Sequence, residues 1–383
     1  MSKARIAVMM PRFSRYGGAE GFGYRLAEAL AQDGFDVDFL CARSEAQPPS
    51  GVRIVSVGRF GPFKWFKVLW FALAAERRRR KGDYDLSIGL GKTLRQDVFR
   101  QGGGPLTVFW RLSARAWPRG PQRAWKMLRR RLSPANWVGW WIERTQVRTT
   151  PVIVANSDLT RQWMAEAHPS LKPESMPVIY NRPDLDRYAP AGEEERQALR
   201  TAAGVRSDQV LLLTAGTNFA LKGVRPLLEA LALLPDRYVL HIAGGRGPGR
   251  YLKLARRLGV AERVRFLGRV EDMPSFYATG DLFVLPTFYD ACSNAVMEAL
   301  ASNLRVVSSA SNGSAAFLPP ENIVADPSDF EDMAHVLARV ANAPRPTGFV
   351  WPEQAAGGME AWVELVRGLV REKFASREHG SRE

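Results

Sequence analysis

The chain alternates strand-length apolar runs with segments of helical periodicity, and this pattern constrains its fold more than any other feature. Residues 5–10 predict a first strand. A helix is predicted over residues 19–32, because Phe22, Leu26 and Leu30 recur at the spacing of one helix face. Further strands are predicted at residues 37–41, 85–89 and 152–155. Short strands that alternate with helices are typical of a parallel sheet covered on both faces.

The same pattern begins again after residues 180–190, a polar segment with prolines that predicts a linker. The second half predicts strands at residues 210–215, 238–243, 264–267, 282–285 and 305–308, and helices at residues 225–234 and 295–301. We therefore predict an α/β fold of two Rossmann-like domains that face each other across a cleft. The carboxyl ends of both sheets would meet one ligand there.

The domain boundaries follow from this repetition. We predict an N-terminal domain over residues 1–180 and a C-terminal domain over residues 181–355. Residues 356–383 are predicted to form a helix and tail, and the helix, at residues 359–373, is expected to pack back on the first domain.

Length, cysteine content and hydropathy favour a cytoplasmic protein. A chain of 383 residues with 46% hydrophobic residues suits two domains of ordinary size. Cys41 and Cys292 are too few for a disulfide framework, which favours a reducing compartment. The first residues lack the apolar core of a signal peptide. The longest apolar candidate for a membrane span, at residues 68–75, ends at Glu76 and four arginines. The chain is thus expected to be soluble or peripheral to a membrane.

The net charge of +15 is confined to the N-terminal half. The first 175 residues contain 30 Lys and Arg against 14 Asp and Glu, whereas the remaining 208 contain 24 against 25. Eight of the eleven tryptophans lie between Trp65 and Trp141, interleaved with the basic runs 77–81 and 129–131. Residues 63–73 followed by the first basic run resemble an interfacial helix at an anionic inner membrane surface.

Two alternatives remain open for this basic, aromatic stretch. Trp65, Phe66, Leu69 and Trp70 could form a core face with the arginines as a solvated tip. Basic and aromatic side chains also suit single-stranded nucleic acid. Because no RRM, KH or zinc-finger signature is present, nucleic acid is not the expected partner.

A motif in the second half carries the strongest functional signal. Within residues 286–307, Asp290 and Glu298 are separated by seven residues, after a strand that ends in Pro286 and before a predicted helix. This segment resembles the donor-binding signature of the retaining GT-B glycosyltransferases of family 4. Other segments match that family in the same order along nearly the whole chain: 17–20, 152–157, 177–190, 215–223 and 264–270. Residues 97–104 further resemble lipopolysaccharide core glycosyltransferases of the core glucosyltransferase type.

The resemblance implies a nucleotide diphospho-sugar donor. Lys222 would neutralise its phosphates, and the backbone N–H groups of Gly17 and Gly18 would form an anion site at a helix start. Glu298, in the first turn of its predicted helix, would bind the ribose hydroxyls, and Asp290 would hold the sugar. Asp290, Lys222 and Asp97 are the candidate catalytic residues. The candidate donor-binding residues are Gly17, Gly18, Gly216, Thr217, Lys222, Gly244, Arg269, Val270, Ser293, Asn294, Ala295 and Glu298.

Each of these residues has a simpler alternative. Gly17 and Gly18 could form an ordinary turn, and Lys222 could be solvated surface. Glu298 could do no more than complement a helix dipole. Asp97 is the candidate polar group on the acceptor side, and a loop or helix-start carboxylate is the competing interpretation.

The implied reaction is sugar transfer with retention of anomeric configuration to a lipopolysaccharide core or related lipid-linked glycan. No metal and no cofactor are expected, and a UDP-sugar is the favoured donor. The alternatives are transfer to capsule or another envelope polysaccharide, and a non-catalytic relative that binds membrane or RNA.

Two departures from the family pattern affect the site. Many members carry an arginine near the phosphate-binding lysine loop, residues 215–223, where this chain has Thr217 and Leu221. We consider Arg246, Arg250 and Arg12 as substitutes. The family often has a histidine after the strand at residues 85–89, but residues 90–97 contain none, and His241 is interpreted as a strand residue.

Overall fold

The computed structural model describes residues 3–245, 247–352, 355 and 357–380, with side chains up to residue 376. These residues divide into two compact units. The N-terminal unit contains the chain up to Val108, Arg119–Asn181 and the residues after Pro352. The C-terminal unit contains Arg182–Pro352 together with Phe109–Pro118.

The N-terminal unit is built on a six-stranded parallel sheet. Its elements are β1 (Arg5–Met9), β2 (Arg12–Phe13), α1 (Gly18–Gln32), β3 (Asp36–Cys41), β4 (Arg43–Ser44), β5 (Val52–Ser56), α2 (Lys64–Lys81), β6 (Leu86–Gly89), β7 (Val98–Gln101), α3 (Leu106–Ala114, which continues into the C-terminal unit), α4 (Pro121–Arg131), α5 (Pro134–Thr149), β8 (Val152–Ala155) and α6 (Asp158–Ala167). The sheet has the order β5-β3-β1-β6-β7-β8, and β2 and β4 form a separate short ladder.

The C-terminal unit repeats this architecture. Its elements are α7 (Glu193–Ala202), β9 (Val210–Ala215), α8 (Val224–Leu233), β10 (Tyr238–Ala243), α9 (Gly249–Arg257), β11 (Val264–Gly268), α10 (Met273–Thr279), β12 (Leu282–Leu285), α11 (Asn294–Ala301), β13 (Arg305–Ser309), β14 (Ile323–Val324) and α12 (Phe330–Asn342). The sheet is again six-stranded and parallel, with the order β11-β10-β9-β12-β13-β14.

Both sheets share the strand order 3-2-1-4-5-6 when each is numbered from its own first strand. In this doubly wound order the second and third strands are added on one side of the first strand, and the fourth to sixth are added on the other. The loops that leave the carboxyl ends of the first and fourth strands therefore lead to opposite faces of the sheet. The prediction of two Rossmann-like domains is confirmed. The cleft predicted between them stays a prediction.

The central strands are apolar on both faces because helices cover each side of the sheet. Ile6, Val8 and Met9 of β1 are at most 1% exposed, and Val8 pairs with Phe39 and Ile88 in the neighbouring strands. Helix α1 covers one face with the apolar side chains that the sequence predicts, and Phe22, Leu26 and Leu30 are buried.

The last helix, α13 (Gly358–Gly380), packs on α1 in the N-terminal unit, as predicted. Trp362 is 1% exposed and meets the Phe22 ring edge-on, with 5.6 Å between the ring centroids. Arg367 forms an ion pair of 2.5 Å with Asp33. The end of the chain therefore completes the first hydrophobic core.

The segment Phe109–Pro118, which the sequence pattern assigns to the first domain, belongs with the C-terminal unit. Phe109 contacts the Tyr289 ring at 5.2 Å between centroids. Arg115 forms an ion pair of 2.7 Å with Asp326. These contacts explain the assignment, because they join the segment to the loop after β12 and to the residues that follow β14.

Candidate active site

The carboxyl ends of β9 and β12 lie side by side at the point where the C-terminal sheet reverses its strand order. Their loops are in direct contact: the Phe288 N–H donates to the Leu221 carbonyl at 2.8 Å. Gly223 has a φ of +72°, and a Cβ at this position would lie 2.0 Å from the Pro286 carbonyl oxygen. Only glycine permits this approach, which brings the lysine loop and the acidic motif together.

Lys222 and Asp290 meet in this contact. The Lys222 ammonium forms an ion pair with the Asp290 carboxylate, and the two side chains are 20% and 15% exposed. The aliphatic part of Lys222 crosses Gly216, where a Cβ would lie 2.7 Å from Lys222 Cγ. An ammonium group has three donors, so Lys222 can bind a phosphate oxygen while it remains beside Asp290.

The loops after β10 and β11 close on the same edge of the sheet. Gly244, with a φ of +84°, donates its N–H to the Gly268 carbonyl, and a Cβ there would lie 2.7 Å from the Gly216 carbonyl oxygen. Arg269 and Val270 follow directly. The Arg269 side chain is 74% exposed and lies 3.7 Å from Glu271, so it is accessible at the surface.

A buried asparagine that the sequence analysis does not identify fixes the Asp290 loop. Asn312, 1% exposed, accepts hydrogen bonds from the N–H groups of Ser293 at 3.3 Å and Ser314 at 3.1 Å. Its amide donates to Ser308 Oγ at 2.9 Å. The Asp290 carbonyl accepts from the backbone N–H of the residue after Asn312 at 2.9 Å. The only signal in the sequence is the dipeptide Asn-Gly, which is typical of a turn.

The predicted donor residues around this loop occupy a helix start. Ser293 is the N-cap of α11, and Asn294 and Ala295 are its first two residues. Their position places backbone N–H groups without intrahelical partners at the end of the loop. Thr217, in the loop after β9, is exposed.

Glu298 lies in the second turn of α11 and not in the first, because the helix begins at Asn294. The interpretation as a partner of the helix dipole is therefore wrong, since that effect is confined to the first turn. The carboxylate is held by a tyrosine that sequence reasoning missed: Tyr277 Oη donates to Glu298 Oε2 at 2.9 Å. Burial raises the pKa of the Tyr277 phenol well above its usual range, and the Glu298 carboxylate adds to this effect.

The glycines of the N-terminal motif do begin a helix. Gly18 is the first residue of α1, and Gly17 is its N-cap with a φ of +97°. Glu20 folds back toward this turn, where a Cβ on Gly17 would lie 2.9 Å from Glu20 Oε2. Arg12 lies 3.1 Å from Glu20 and 3.6 Å from Glu45. The candidate substitute Arg12 is thus held between two carboxylates.

Asp97 has structural partners that sequence reasoning does not anticipate. It precedes β7, at the amino edge of the sheet, whereas ligands of this fold class bind at the carboxyl edge. Its carboxylate accepts from Ser87 N–H at 2.8 Å and from Ser87 Oγ at 2.5 Å, and it lies 3.3 Å from Lys373 of α13. These contacts correct the acceptor-side assignment: Asp97 joins β6, β7 and α13.

The other candidates are placed as follows. Arg250 stacks on the rings of Trp117, at 5.1 Å, and Tyr251, at 4.6 Å. Arg246 lies outside the described residues. His241 lies within β10, where burial, together with Arg265, lowers its pKa to about 4. It is a neutral strand residue, as expected.

Exposed aromatic side chains lie on two parts of the N-terminal unit: Phe60, Phe63 and Trp70 before and along α2, and a second group on α4 and α5. Helix α2 is partly packed, since its Phe71, Ala72 and Ala75 are buried. Helix α4 has no buried residue and ends in three arginines. The large apolar side chains exposed on α4, α5 and the residues between them are Trp125 (63%), Leu128 (46%), Leu132 (69%), Trp137 (62%) and Trp141 (44%).

Neither a membrane span nor a metal-binding cluster is found among the described residues. None of the helices there combines the length and apolarity needed to cross a bilayer. Among the same residues, histidine, cysteine and carboxylate side chains do not gather in threes in a way that could hold a metal ion.

The two halves of the chain match two different family models. A model of glycosyltransferase family 4 matches residues 16–187, and a model of glycosyl transferases group 1 matches residues 208–343. The lipopolysaccharide glucosyltransferase WaaG of Escherichia coli (strain K12) is 32% identical over 186 residues, which cover 47% of this chain and 49% of that protein. The chain therefore spans about half the length of this curated relative in the alignment.

Solved structures show the same architecture over nearly the whole chain. The crystal structure of WaaG, a glycosyltransferase involved in lipopolysaccharide biosynthesis, matches with a TM-score of 0.74 and 22% identity, over 96% of this chain and 95% of that one. Anabaena HepE in complex with UDP and glucose matches with a TM-score of 0.64 and 19% identity, over 99% and 100%. At these identities the likeness concerns the fold.

Proposed function

Because the chain belongs to the GT-B glycosyltransferases, with a family 4 domain followed by a group 1 domain, we propose that it transfers a sugar from a nucleotide diphospho-sugar to a lipid-linked glycan. The acceptor class that we propose is the lipopolysaccharide core or a related envelope glycan. The similarity to WaaG, a lipopolysaccharide glucosyltransferase, supports this choice.

The observation that carries the proposal is the ion pair of Lys222 with Asp290 at the carboxyl edge of the C-terminal sheet, with Glu298 on the helix that follows the Asp290 loop. Lys222 would bind the diphosphate and neutralise the charge that develops on it as the sugar leaves. Asp290 would orient the ammonium through their ion pair and accept a hydrogen bond from a sugar hydroxyl. Glu298 would accept hydrogen bonds from the two ribose hydroxyls, for which a carboxylate with two oxygens is well suited.

The remaining donor contacts that we propose come from the backbone. The N–H groups of Asn294 and Ala295 at the start of α11 would bind oxygens of the sugar or phosphate, and Ser293, whose own N–H donates to Asn312, would hold this helix start in place. The turn at Gly17 and Gly18 would supply a second set of N–H groups at the start of α1. We further propose that Gly216, Thr217, Gly244, Arg269 and Val270 complete the donor site through their loops.

The proposed mechanism relies on positioning and electrostatic stabilisation. Fixed donors that face a developing negative charge lower the barrier without reorganisation. We propose retention of anomeric configuration with no metal, in which the leaving phosphate accepts the proton of the acceptor hydroxyl. The products are then the transferred glycoside and a nucleoside diphosphate, and no enzyme nucleophile is assigned.

The donor that we favour is a UDP-sugar. Support comes from HepE of Anabaena, a neighbour in fold whose structures contain UDP and UDP-glucose. A thermal-shift series with UDP-, GDP- and ADP-sugars tests the base. A donor present at 100 times its Kd stabilises a protein by about 2.7 kcal/mol, which gives a readily measured shift. If no UDP-, GDP- or ADP-sugar raises the melting temperature of the protein, the proposal is contradicted.

Transfer itself is tested with purified lipid-linked core acceptor. The protein should release nucleoside diphosphate, and Lys222→Ala and Glu298→Ala should each reduce this release by at least about a hundredfold. Lys253→Ala and Glu262→Ala remove the same side chains from exposed positions of the same unit and should retain activity. Full activity in either site variant would remove the site assignment. Nuclear magnetic resonance of the product shows its anomeric configuration and so tests retention. Addition of EDTA tests the absence of a metal and should leave the rate of transfer unchanged.

We also propose that the protein acts in the cytoplasm, on the inner face of the membrane. The support is the surface of α4 and the start of α5, where exposed Trp125, Leu132 and Trp137 adjoin the basic run 129–131. Such a surface places aromatic rings at headgroup depth and cations against anionic lipid.

Sedimentation with vesicles tests this surface. Vesicles that contain phosphatidylglycerol should bind the protein in a salt-sensitive manner, and Trp125→Ser with Leu132→Ser should weaken binding. Leu233→Ser, which changes an exposed leucine of the C-terminal unit, is the control. Equal binding to neutral vesicles would contradict the proposal. Vesicle binding without affinity for any donor would favour the non-catalytic alternative.

A further inference from the structure

A groove of about 670 Å³ opens between α2 and α5 in the N-terminal unit. None of its lining residues belongs to the proposed donor site. It lies beside the loop that leads into β7, which contributes Leu94 and Arg95. The transfer reaction therefore leaves the groove without a role.

The groove is strongly cationic. Four basic side chains and one carboxylate, Glu76, line it. Glu76 already accepts hydrogen bonds from Arg79 at 3.0 Å and from Arg80 at 2.8 Å. Burial by itself would raise the pKa of this carboxyl, but the two arginines outweigh it and hold the pKa below its usual range. Glu76 is consequently ionised and already paired with Arg79 and Arg80.

Three cations of the groove remain available. Arg77 and Lys81 extend from the last turns of α2, and Arg95 faces them from the loop before β7. All three are exposed, and within the described part of the chain none of them forms an ion pair. A cluster of this kind repels itself unless an anion from outside binds to it.

The floor beside these cations is apolar. Leu73 is 50% exposed, Trp141 is 44% exposed, and Leu94 lies buried beneath them. Trp141 lies one turn after Trp137 on the same face of α5, so the floor continues into the exposed aromatic surface of that helix. An anion that binds here would have an apolar portion within reach of the floor.

We propose that this groove binds one molecule of an anionic phospholipid. The headgroup phosphate would lie between Arg77, Lys81 and Arg95, and an acyl chain would cover Leu73 and Trp141. Charge complementarity requires the anion, and the adjoining apolar floor selects an amphiphile over a free phosphate or an acidic peptide. The site would hold the lipid in a defined stoichiometry, which a diffuse electrostatic surface does not.

The test uses the full chain and lipid monomers in the absence of a bilayer, so that its outcome is separate from vesicle binding and from sugar transfer. Isothermal titration with dihexanoyl phosphatidylglycerol below its critical micelle concentration should give saturable binding of one molecule per chain. The double variant Arg77→Gln with Arg95→Gln should weaken binding about thirty-fold, since each cation beside an anionic lipid contributes about a fivefold change in affinity.

The matched control is the double variant Arg78→Gln with Arg148→Gln. These two exposed arginines lie on α2 and α5, the helices that border the groove, but neither lines it. The net charge therefore falls by the same amount as in the groove variant, while the lining is unchanged. Affinity should change less than twofold. Circular dichroism verifies that both variants fold, and Leu73→Ser should weaken binding of the lipid without altering the charge.

Three outcomes would overturn the proposal. The first is equal affinity for dihexanoyl phosphatidylcholine, which would remove the role of charge. The second is equal affinity for glycerol phosphate or an acidic peptide, which would remove the role of the apolar floor. The third is an equal loss in the groove variant and its control, which would reduce the effect to net charge.

Discussion

Replacement of Tyr277 by phenylalanine tests how Glu298 is held. The change deletes one oxygen atom, whose hydrogen bond to Glu298 spans 2.9 Å inside the C-terminal unit. Tyr277 is fully buried, and its ring packs edge-on against Tyr188 and Phe283. Phenylalanine retains these ring contacts, so the unit should fold with the carboxylate short of one donor.

The expected magnitude follows from the type of bond. A hydrogen bond to a charged group contributes about 1.5–3 kcal/mol, and about 1.4 kcal/mol corresponds to a factor of ten in binding. If Glu298 binds the ribose, far from the bond that breaks, its misplacement weakens substrate and transition state alike. Tyr277→Phe should therefore raise the donor KM at least about tenfold and leave kcat within a factor of two.

Steady-state kinetics over a range of donor concentrations measures both parameters. Tyr238→Phe is the control, since Tyr238 is a buried tyrosine of the same unit, 1% exposed, whose side chain lies in the hydrophobic core with Leu240 and Val264. An unchanged KM in Tyr277→Phe, together with loss of donor binding in Glu298→Ala, would refute the positioning role. A fall in kcat alone would place Glu298 beside the reacting bond instead of the ribose.

Three further predictions concern the stability of the C-terminal unit. Gly223→Ala should lower the free energy of unfolding by more than about 2 kcal/mol, because it combines a left-handed backbone with a methyl group 2.0 Å from the Pro286 carbonyl oxygen; an unchanged urea midpoint would contradict this. Asn312→Ala should cost about 2–4 kcal/mol and weaken donor binding, since two buried N–H groups lose their acceptor, and calorimetry with donor titration measures both effects. His241, whose pKa falls from about 6.5 in the unfolded chain to about 4 in the fold, should leave stability constant above pH 6.5. Stability should decline by up to about 3 kcal/mol as the pH falls to 4, because the unfolded chain binds the proton first, and His241→Leu should lack this decline in urea titrations at each pH.

The fold was largely predictable because the central strands of both sheets are mostly apolar runs. Strands β9 and β10 have the predicted bounds, since each run is preceded by a polar or charged residue and followed by glycine. Strand β7 does not have this pattern: it includes Arg100 and Gln101, both buried. Arg100 is accommodated by the Phe22 ring at 3.8 Å and by Asn181, residues far away in sequence that a local pattern cannot reveal.

The candidate site was predictable where residues follow the carboxyl ends of neighbouring strands. Lys222 and Asp290 meet for this reason, since parallel strands deliver their loops to one edge. Tyr277 could not be found, because nothing local in its helix indicates a carboxylate on another helix. Asp97 was misassigned because the sequence does not show whether a carboxylate precedes a strand or follows one, and these two places lie at opposite edges of the sheet.

The return of α13 to the N-terminal unit sets a rule for recombining this protein with its relatives. Trp362, Val366 and Val370 are part of the first hydrophobic core although they are encoded after the entire C-terminal unit. A chimera joined at a single point in the linker would pair a sheet from one parent with a covering helix from another. Shuffling of donor specificity therefore requires two crossover points, one near residue 181 and one near residue 353, so that the helix is inherited with the core that it completes.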